Sequence, residues 1–320
     1  MTQQRNSYLE SFARFDSNIA ENGRSWFRPI RREAIIRFAE LGFPTTREED
    51  WKFTNVAAIA RNSFRLAEEG HTKLAPQELR GFTIPGLGRS QLVFVNGRFS
   101  SGLSSLRRLP NGVKVSSLAE AFMAHRDLLE QHLARYADYH RDAFSALNTA
   151  FIEDGGFVYV PKGMVLEEPI HLLYVAIPSG EPIMTHPRNL IIAAEDSQGT
   201  VVEHYVSLGG DVYFSNAVTE VVAGENSVLS HYLIERESKQ AFVLSTLRVQ
   251  QDRNSSVASH SVLLGGALVR NNVHPVLAGE GSNCLINGLF MPTGRQHMDN
   301  FMYVEHVSPH CDSRQFYHGI

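Results

Sequence analysis

Histidine recurs at a nearly constant interval in the second half of the chain. Three six-residue stretches align without gaps around His204, His231 and His260, and these histidines are separated by 27 and 29 residues. An imidazole can carry a proton, act as a base or bind a metal. Which of these roles is open to the three side chains depends on whether the fold stacks them in one place.

The residues around the histidines have the local pattern of strands. Each stretch follows a turn rich in Gly, Asn, Asp and Ser, and a second strand-like run recurs within each period without a helical pattern between the two. A fixed period of this length is typical of stacked supersecondary units. We therefore predict a mainly β fold, namely a right-handed parallel β-helix. Each rung, which is one full turn of this coil, would contain two strands and about 28 residues. An antiparallel meander is the alternative, but it would not return the same side chain to the same place once per two strands.

Alternation along the strands also assigns the histidines to a face. They share a face with apolar residues such as Val202 and Leu229, and the apolar face of a strand points into the core. We therefore predict an interior column of His204, His231 and His260, with neighbours about 4.8 Å apart. We interpret this column as satisfying buried hydrogen bonds, and a lined internal passage is the functional alternative.

A second group of candidate ligands lies near the end of the chain. Imidazole and thiolate suit iron or zinc, and His306, His310 and Cys311 are close in sequence. Their spacing matches no compact metal motif, and alternate strand residues face opposite ways, so ordinary packing is favoured over a metal site. Cys284 lies 27 residues before Cys311 and could stack with it, although free thiols are expected.

Composition excludes several classes of protein. The chain has 320 residues and a net charge of −4, so no basic surface for nucleic acid is indicated. It contains no apolar run of membrane-spanning length and no secretory pattern at its start. Two cysteines fit a reducing compartment. We expect a cytoplasmic protein that binds neither nucleic acid nor membrane.

The first half of the chain differs from the second. Helical spacing at Tyr8–Asn22 and Arg28–Leu41 predicts an N-terminal helical domain over residues 1–88. An Asn-Gly dipeptide at Asn96 predicts a hairpin, and residues 89–150 are interpreted as this hairpin followed by a helical connector. The β-helix is expected over residues 151–320.

Several motifs, spread in order over nearly the whole chain, resemble the SufB/SufD family of iron–sulfur cluster assembly proteins, and the SufD branch more than SufB. Each motif alone is weak, but the combination is specific. The motifs are Glu49–Thr54, Ala146–Phe151, Asp154–Gly163, Pro187–Ile192, Asn216–Glu220, Gly279–Ser282, Gln296–Asn300, His306, Pro309, His310 and Ser313.

This resemblance implies a non-catalytic scaffold. It implies pairing through the β-helix with a SufB-like paralogue and association with a SufC-like ATPase. An iron–sulfur cluster would be present only transiently in that complex, where flavin has also been associated, and the isolated chain would carry no cofactor. The sequence has no P-loop of its own, so any ATP dependence would come from the partner.

Two further expectations follow from the residues. The chain stops at Ile320 in the middle of a rung, whereas the resemblance implies further rungs and a C-terminal helical domain. We therefore expect either a fragment or a truncated gene product, which does not hold the ATPase stably. A carbohydrate-active β-helix enzyme, a lyase or hydrolase, is the alternative function. Such an enzyme needs carboxylates or basic groups clustered on adjacent rungs, whereas the acidic residues of these repeats sit mostly in turns.

Overall fold

Two parallel sheets form the walls of a β-helix in the computed structural model, which describes residues 2–19, 24–67, 74–87, 89–178 and 180–320. The coil makes about six rungs over residues 157–319, and the chain passes from one sheet to the other within each rung. The predicted mainly β fold is confirmed, and so is the helical region that precedes it.

The helices of the described residues lie before the coil. They are α1 (Thr2–Asn18), α2 (Arg28–Leu41), α3 (Ala57–Arg61), α4 (Leu118–Ala124), α5 (Arg126–His132) and α6 (Ala143–Ala150). The first helix was predicted to reach residue 22, and residues 20–22 lie outside the described residues. Within the part of the chain that the structure describes, no helix has the length and apolar content needed to span a bilayer.

The strands follow one another around the coil. They are β1 (Arg65–Leu66), β2 (Gln91–Val95), β3 (Arg98–Phe99), β4 (Lys114–Ser117), β5 (Gly156–Val160), β6 (Ile170–Ala176), β7 (Ile183–Thr185), β8 (Arg188–Ala193), β9 (Gln198–Ser207), β10 (Tyr213–Ala223), β11 (Val228–Arg236), β12 (Phe242–Gln251), β13 (Ser256–Leu263), β14 (Leu268–Leu277), β15 (Asn283–Phe290), β16 (His297–Met302), β17 (Glu305–His306) and β18 (Asp312–Gly319).

The order of strands in each sheet is that of a coil. Sheet A has the order β16-β14-β12-β10-β8-β5-β4, and sheet B has the order β18-β15-β13-β11-β9-β6-β2-β3. Pairs between successive rungs are parallel, whereas β4–β5 and the hairpin β2–β3 are antiparallel. The hairpin expected at Asn96 is therefore present, and its strand β2 continues sheet B beyond β6.

A column of left-handed residues sets the register between rungs. The turn before each strand of sheet B from β9 onward contains one residue with φ between 53° and 73°, and these residues are Asp196, Asn226, Asn254, Gly281 and His310. Gly, Asn and Asp enter this region at the lowest cost. The asparagine side chains also form a ladder, in which Asn226 Nδ2 lies 3.0 Å from Asp196 Oδ1 and Asn254 Nδ2 lies 3.3 Å from Asn226 Oδ1.

The predicted interior histidine column is wrong. His204 is paired in register with Ile234, whereas His231 is paired with Val201 and Ser259, and His260 with Tyr232. His204 and His231 therefore differ by three register positions, and an odd offset places side chains on opposite faces of a sheet. Among the three histidines, His231 alone points into the coil, beside Leu229 and Leu233.

The reason for this error lies in the turns. The left-handed residues Asp196, Asn226 and Asn254 are 30 and 28 residues apart, whereas the three histidines are 27 and 29 residues apart. Alignment on the histidines therefore shifts the first rung by three positions and the third rung by one position relative to the second. Val202 and His204 lie on the outer face of sheet B and are nevertheless buried.

The first half of the chain packs on the outer faces of the coil. An apolar cluster joins Phe38 of α2, Trp51 and Phe144 of α6 to Phe214 and Leu244, which point outward from sheet A. A second cluster joins α4 and α5 to the outer face of β5 and β8, through residues such as Phe122 and Leu190. The helices thereby bury apolar side chains on both sides of the sheet, which explains why strands such as β10 are buried along their full length.

Candidate functional site

The three residues proposed as metal ligands near the end of the chain have separate partners. His306 Nε2 lies 2.9 Å from Ser313 Oγ. His310 occupies the left-handed turn position and is exposed, 3.9 Å from Glu280. Cys311 Sγ lies 3.3 Å from Ser282 Oγ. Across the described ranges, no group of three or more His, Cys, Asp or Glu side chains is placed to hold a metal ion.

The cysteines do not stack. Cys284 is paired in register with Ser313 rather than with Cys311, and both thiols are free. Burial raises the pKa of Cys284 to about 12. Since the thiolate is the form that binds metals, Cys284 is a poor ligand in this fold.

His204 and His260 lie on the outer face of sheet B. His204 stacks on His171 of the neighbouring strand, with ring centroids 5.6 Å apart, and burial lowers the pKa of His204 to about 3 and that of His171 to about 4. His260 stacks on Tyr232 at 4.9 Å. The buried pair therefore stays neutral at physiological pH and packs as two aromatic rings.

His231 belongs to a polar network inside the coil, centred on Glu203. Glu203 Oε1 accepts hydrogen bonds from Thr219 Oγ1 at 2.6 Å and lies 3.0 Å from His231 Nε2, and Oε2 accepts from the Tyr205 hydroxyl at 2.7 Å. Burial alone would raise the pKa of Glu203, but these hydrogen bonds outweigh burial and lower it. The carboxylate is thus kept ionised in the core by its surrounding donors.

Asn189 extends this network toward the first rungs. Its Nδ2 donates to Glu203 Oε2 at 3.0 Å and to Thr219 Oγ1 at 3.1 Å. Its Oδ1 accepts from the backbone N–H of Gly156 at 2.7 Å and from the Tyr174 hydroxyl. One amide side chain therefore links three rungs, and every polar atom of that side chain is used.

A second interior ladder runs toward the last rungs. Ser245 Oγ donates to Asn271 Oδ1 at 3.1 Å, and Asn271 Nδ2 donates to Asn300 Oδ1 at 3.1 Å. Between the two networks is a cavity of about 10 Å³, lined by Glu203, His231 and residues of the ladder, which is about the size of one water molecule. Around these polar groups, the interior of the coil is filled by apolar side chains such as Leu229, Leu233 and Val249.

A buried ion pair fixes α6 to sheet A. Arg188 Nη2 lies 2.7 Å from Glu220 Oε2, and both side chains are fully buried. Arg188 Nη1 also donates to Asn148 Oδ1 at 3.0 Å, and Asn148 Nδ2 donates to the backbone carbonyls of Pro187 and Asn216 at 2.9 and 2.8 Å. A buried pair of this kind needs such further hydrogen bonds to offset its desolvation.

The backbone completes this arrangement. Glu220 accepts hydrogen bonds from the N–H groups of Ala134, Tyr136 and Ala137 at 2.7–2.9 Å, so the loop after α5 is held by the same carboxylate that binds Arg188. These contacts join three separated motifs, which are Ala146–Phe151, Pro187–Ile192 and Asn216–Glu220.

The Glu49–Thr54 motif binds the far end of sheet A. Thr54 Oγ1 lies 3.1 Å from His297 Nε2 and donates to Asp299 Oδ2. Asp299 in turn pairs with Arg270, whose guanidinium lies 4.2 Å from the Trp51 ring and 4.6 Å from the Phe301 ring. The Gln296–Asn300 motif is thereby paired with the Glu49–Thr54 motif across 243 residues.

Asp154 and Gly155 tie the hairpin and α4 to the first rung. The Asp154 carboxylate accepts from the N–H groups of Phe99 at 2.8 Å and Ala119 at 3.0 Å, and burial raises its pKa to about 6. Gly155 has φ of 153°, and a Cβ there would lie 2.0 Å from the carbonyl oxygen of Arg188. Only glycine fits that position.

Sequence reasoning missed Glu203, Asn189 and the Arg188–Glu220 pair as network centres. The available signal was a charged residue within an apolar strand, since Arg and Glu are seldom buried unless paired. The motifs were found, but the contacts between them were not.

Family profiles match almost the entire chain. The profile of the SufBD protein N-terminal region matches residues 2–172, and that of the SUF system FeS cluster assembly, SufBD core domain, matches residues 176–320. These two segments meet within β6, after the coil has begun.

Individual relatives agree with the profiles. The chain is 29% identical over 298 residues to an iron–sulfur cluster assembly SufBD family protein of Synechocystis, covering 91% of this chain and 65% of the relative. It is 28% identical over 303 residues to the iron–sulfur cluster assembly protein SufD of Escherichia coli, covering 91% and 66%. It is 26% identical over 207 residues to SufB of Bacillus subtilis, covering 63% and 43%. The chain thus spans about two thirds of the length of the first two relatives, and it belongs to the SufBD family of the SUF iron–sulfur cluster assembly system.

Proposed function

We propose that the chain acts as a SufD-like, non-catalytic scaffold in the cytoplasmic assembly of iron–sulfur clusters. The main support for this proposal is that the side chains of the family motifs bind other parts of the same chain. Their polar side chains, such as Arg188, Glu220 and Thr54, form contacts that join the helices to the coil. Groups that are used in this way stabilise the fold and are not available to react with a substrate.

The cluster is the cargo of this scaffold, and its ligands would come mainly from partner subunits. An iron–sulfur cluster usually needs four thiolates, and this sequence has two cysteines. One of them, Cys284, is buried with a raised pKa. A SufB-like paralogue is the expected main partner, and a SufC-like ATPase would supply the nucleotide hydrolysis for which this sequence has no P-loop.

Co-expression tests this proposal. The chain would be produced with the SufB-type and SufC-type proteins of one organism, and co-purification and cluster transfer to an apo-ferredoxin would be measured. We expect stoichiometric association with the SufB-type protein and faster cluster formation than SufB and SufC give without the chain. Absence of both effects would refute the scaffold role.

Two assays on the chain alone test the non-catalytic part. Anaerobic reconstitution with iron and sulfide should leave no stable cluster on the monomer, as judged by absorption spectroscopy and metal analysis. A stable cluster that Cys311→Ala abolishes, but Cys284→Ala does not, would make the end of the chain a ligand site. Turnover of a polysaccharide would instead support the carbohydrate-active alternative.

A further inference from the structure

A cleft of about 440 Å³ lies between the first half of the chain and the outer face of sheet A. Arg248 of β12 and the neighbouring His274 of β14 line it, and so do Leu41 and Tyr303. Arg270 also reaches it, but that guanidinium is already paired with Asp299 and enclosed by two aromatic rings. Arg248 is therefore the cation whose role in the cleft is unexplained.

Arg248 has no hydrogen-bond partner among the described residues. Its Nε is fully buried and unpartnered, and most of its side chain is covered. A guanidinium stays charged at physiological pH and carries five N–H donors in a planar fork. A buried donor without an acceptor costs free energy of folding. A ligand that supplies an acceptor to Arg248 would remove this cost.

The carboxylates around Arg248 are engaged elsewhere. Asp142 caps α6 by accepting from the N–H groups of Phe144 and Ser145 at 3.2 and 3.1 Å. Glu220 binds Arg188, and Glu305 binds His274. Asp138 lies 3.6 Å from Arg141. These groups act on Arg248 through their charge, but none of them forms a hydrogen bond with it.

The mouth of the cleft limits what can enter. Glu48, Glu49 and Asp50 line it as three adjacent acidic residues, and they repel a ligand that carries several negative charges. The same cleft offers an apolar surface to a ligand, because Tyr303 is 55% exposed and Leu41 is 37% exposed. A single negative charge on an apolar body meets both conditions.

We propose that this cleft binds a carboxylate attached to an apolar group, with the carboxylate paired to Arg248 and the apolar group packed against Tyr303 and Leu41. A carboxylate matches the guanidinium fork through two parallel hydrogen bonds. The same chemistry is found in a small aromatic acid and in the C-terminus of a protein that ends in an apolar residue. Neither source depends on the role in cluster assembly.

Trp51 provides a signal for the test. The sequence has two tryptophans, and Trp51 lines the cleft while Trp26 packs against Phe27 and Phe122. A Trp26→Phe background therefore leaves fluorescence from the cleft alone. The full chain in this background would be titrated with phenylacetate, with its neutral analogue phenylethanol, with acetate and with inorganic phosphate.

We expect saturable binding of phenylacetate and none of the other three probes up to about 10 mM. Arg248→Gln should weaken phenylacetate binding by at least about 10-fold, because it removes the positive charge and the paired hydrogen bonds to the carboxylate. Arg248→Lys should retain part of the affinity, since it keeps the charge and loses the fork. Arg253→Gln is the matched control, because Arg253 is exposed and does not line the cleft, and it should change the affinity less than about 3-fold.

A peptide that ends in a free Phe carboxylate, compared with its amide, separates the two sources. Tighter binding of the free peptide than of phenylacetate assigns the cleft to a protein C-terminus, and the reverse assigns it to a small acid. Equal binding by Arg248→Gln and the parent chain, with unchanged circular dichroism, would refute the proposal. So would phosphate binding as tight as that of phenylacetate, or no saturation with any probe.

Discussion

Removing the negative charge from Glu203 should strongly destabilise the coil. Four donors point at this carboxylate, from Asn189, Tyr205, Thr219 and His231. Glu203→Gln keeps the size and shape of the side chain, but it turns an NH₂ group toward donors on one side. Each buried donor left without an acceptor costs about 1–3 kcal/mol, so we expect a loss of about 3 kcal/mol in the free energy of unfolding.

Urea denaturation followed by far-UV circular dichroism measures this loss. The matched control is Glu225→Gln, because Glu225 is a turn residue with a side chain that is 44% exposed and a partner, Arg253, that lies 3.8 Å away. This substitution should cost less than about 0.5 kcal/mol. A double-mutant cycle with His231→Gln isolates the pair, and we expect a coupling above about 1 kcal/mol. Values for Glu203→Gln that match the control would refute the argument that this network stabilises the coil.

The pH dependence of the same variant gives an independent check. The pKa of Glu203 is lowered in the folded chain, so its unfolded form takes up a proton first as the pH falls. The stabilisation is therefore complete above the unfolded pKa and disappears as the pH falls through the lower folded value. The difference between the parent chain and Glu203→Gln should shrink in acid, and a difference that grows in acid would contradict the assigned sign.

Three further outcomes are expected. His171 and His204 have folded pKa values of about 4 and about 3, so each should lower the free energy of unfolding by about 1.4 kcal/mol per pH unit as the pH falls from about 6.5 toward those values. Urea denaturation at several pH values measures this loss, and a midpoint that stays constant between about pH 6 and about pH 4.5 would contradict it. Gly155→Ala should prevent folding or lower the melting temperature sharply, whereas Gly102→Ala, with nothing within 4 Å of its Cβ, should not. Because φ of Asn226 is 56°, Asn226→Gly should be tolerated, whereas Asn226→Val should lower the free energy of unfolding by at least about 1 kcal/mol in urea denaturation. Equal stability of the two variants would contradict the left-handed conformation of this turn residue.

The fold could be predicted because it depends on local patterns that repeat. Alternation predicts strands, and the turn residues predict where each strand begins, so the coil follows without knowledge of long-range contacts. The placement of His204 could not be predicted in the same way. Its face depends on the register between β9 and β11, in which His204 is paired with Ile234 rather than with His231, and a rung of a different length changes that register by three positions.

The contacts between motifs were beyond the reach of a single sequence. Arg188 and Glu220 are recognisable as charges within apolar strands, but nothing local indicates that Asn148 of α6 accepts a hydrogen bond from Arg188. The Glu49–Thr54 motif is likewise recognisable, but nothing in the sequence indicates that Arg270 covers the ring of Trp51. Such pairs are fixed by packing of distant segments, for which periodicity carries no information.

The bonds between Thr54 and β16 have a consequence for synthesis on the ribosome. Thr54 is made 243 residues before His297, and at about 5–20 residues per second that interval lasts roughly 10–50 s. Rungs made in the meantime can form next to their neighbours, but the segment around Trp51 has no finished surface to bind. Trp51 and Thr54 thus lack their partners on sheet A for most of this interval in the nascent chain, and chaperones that bind during translation would meet the Trp51 side chain in that state.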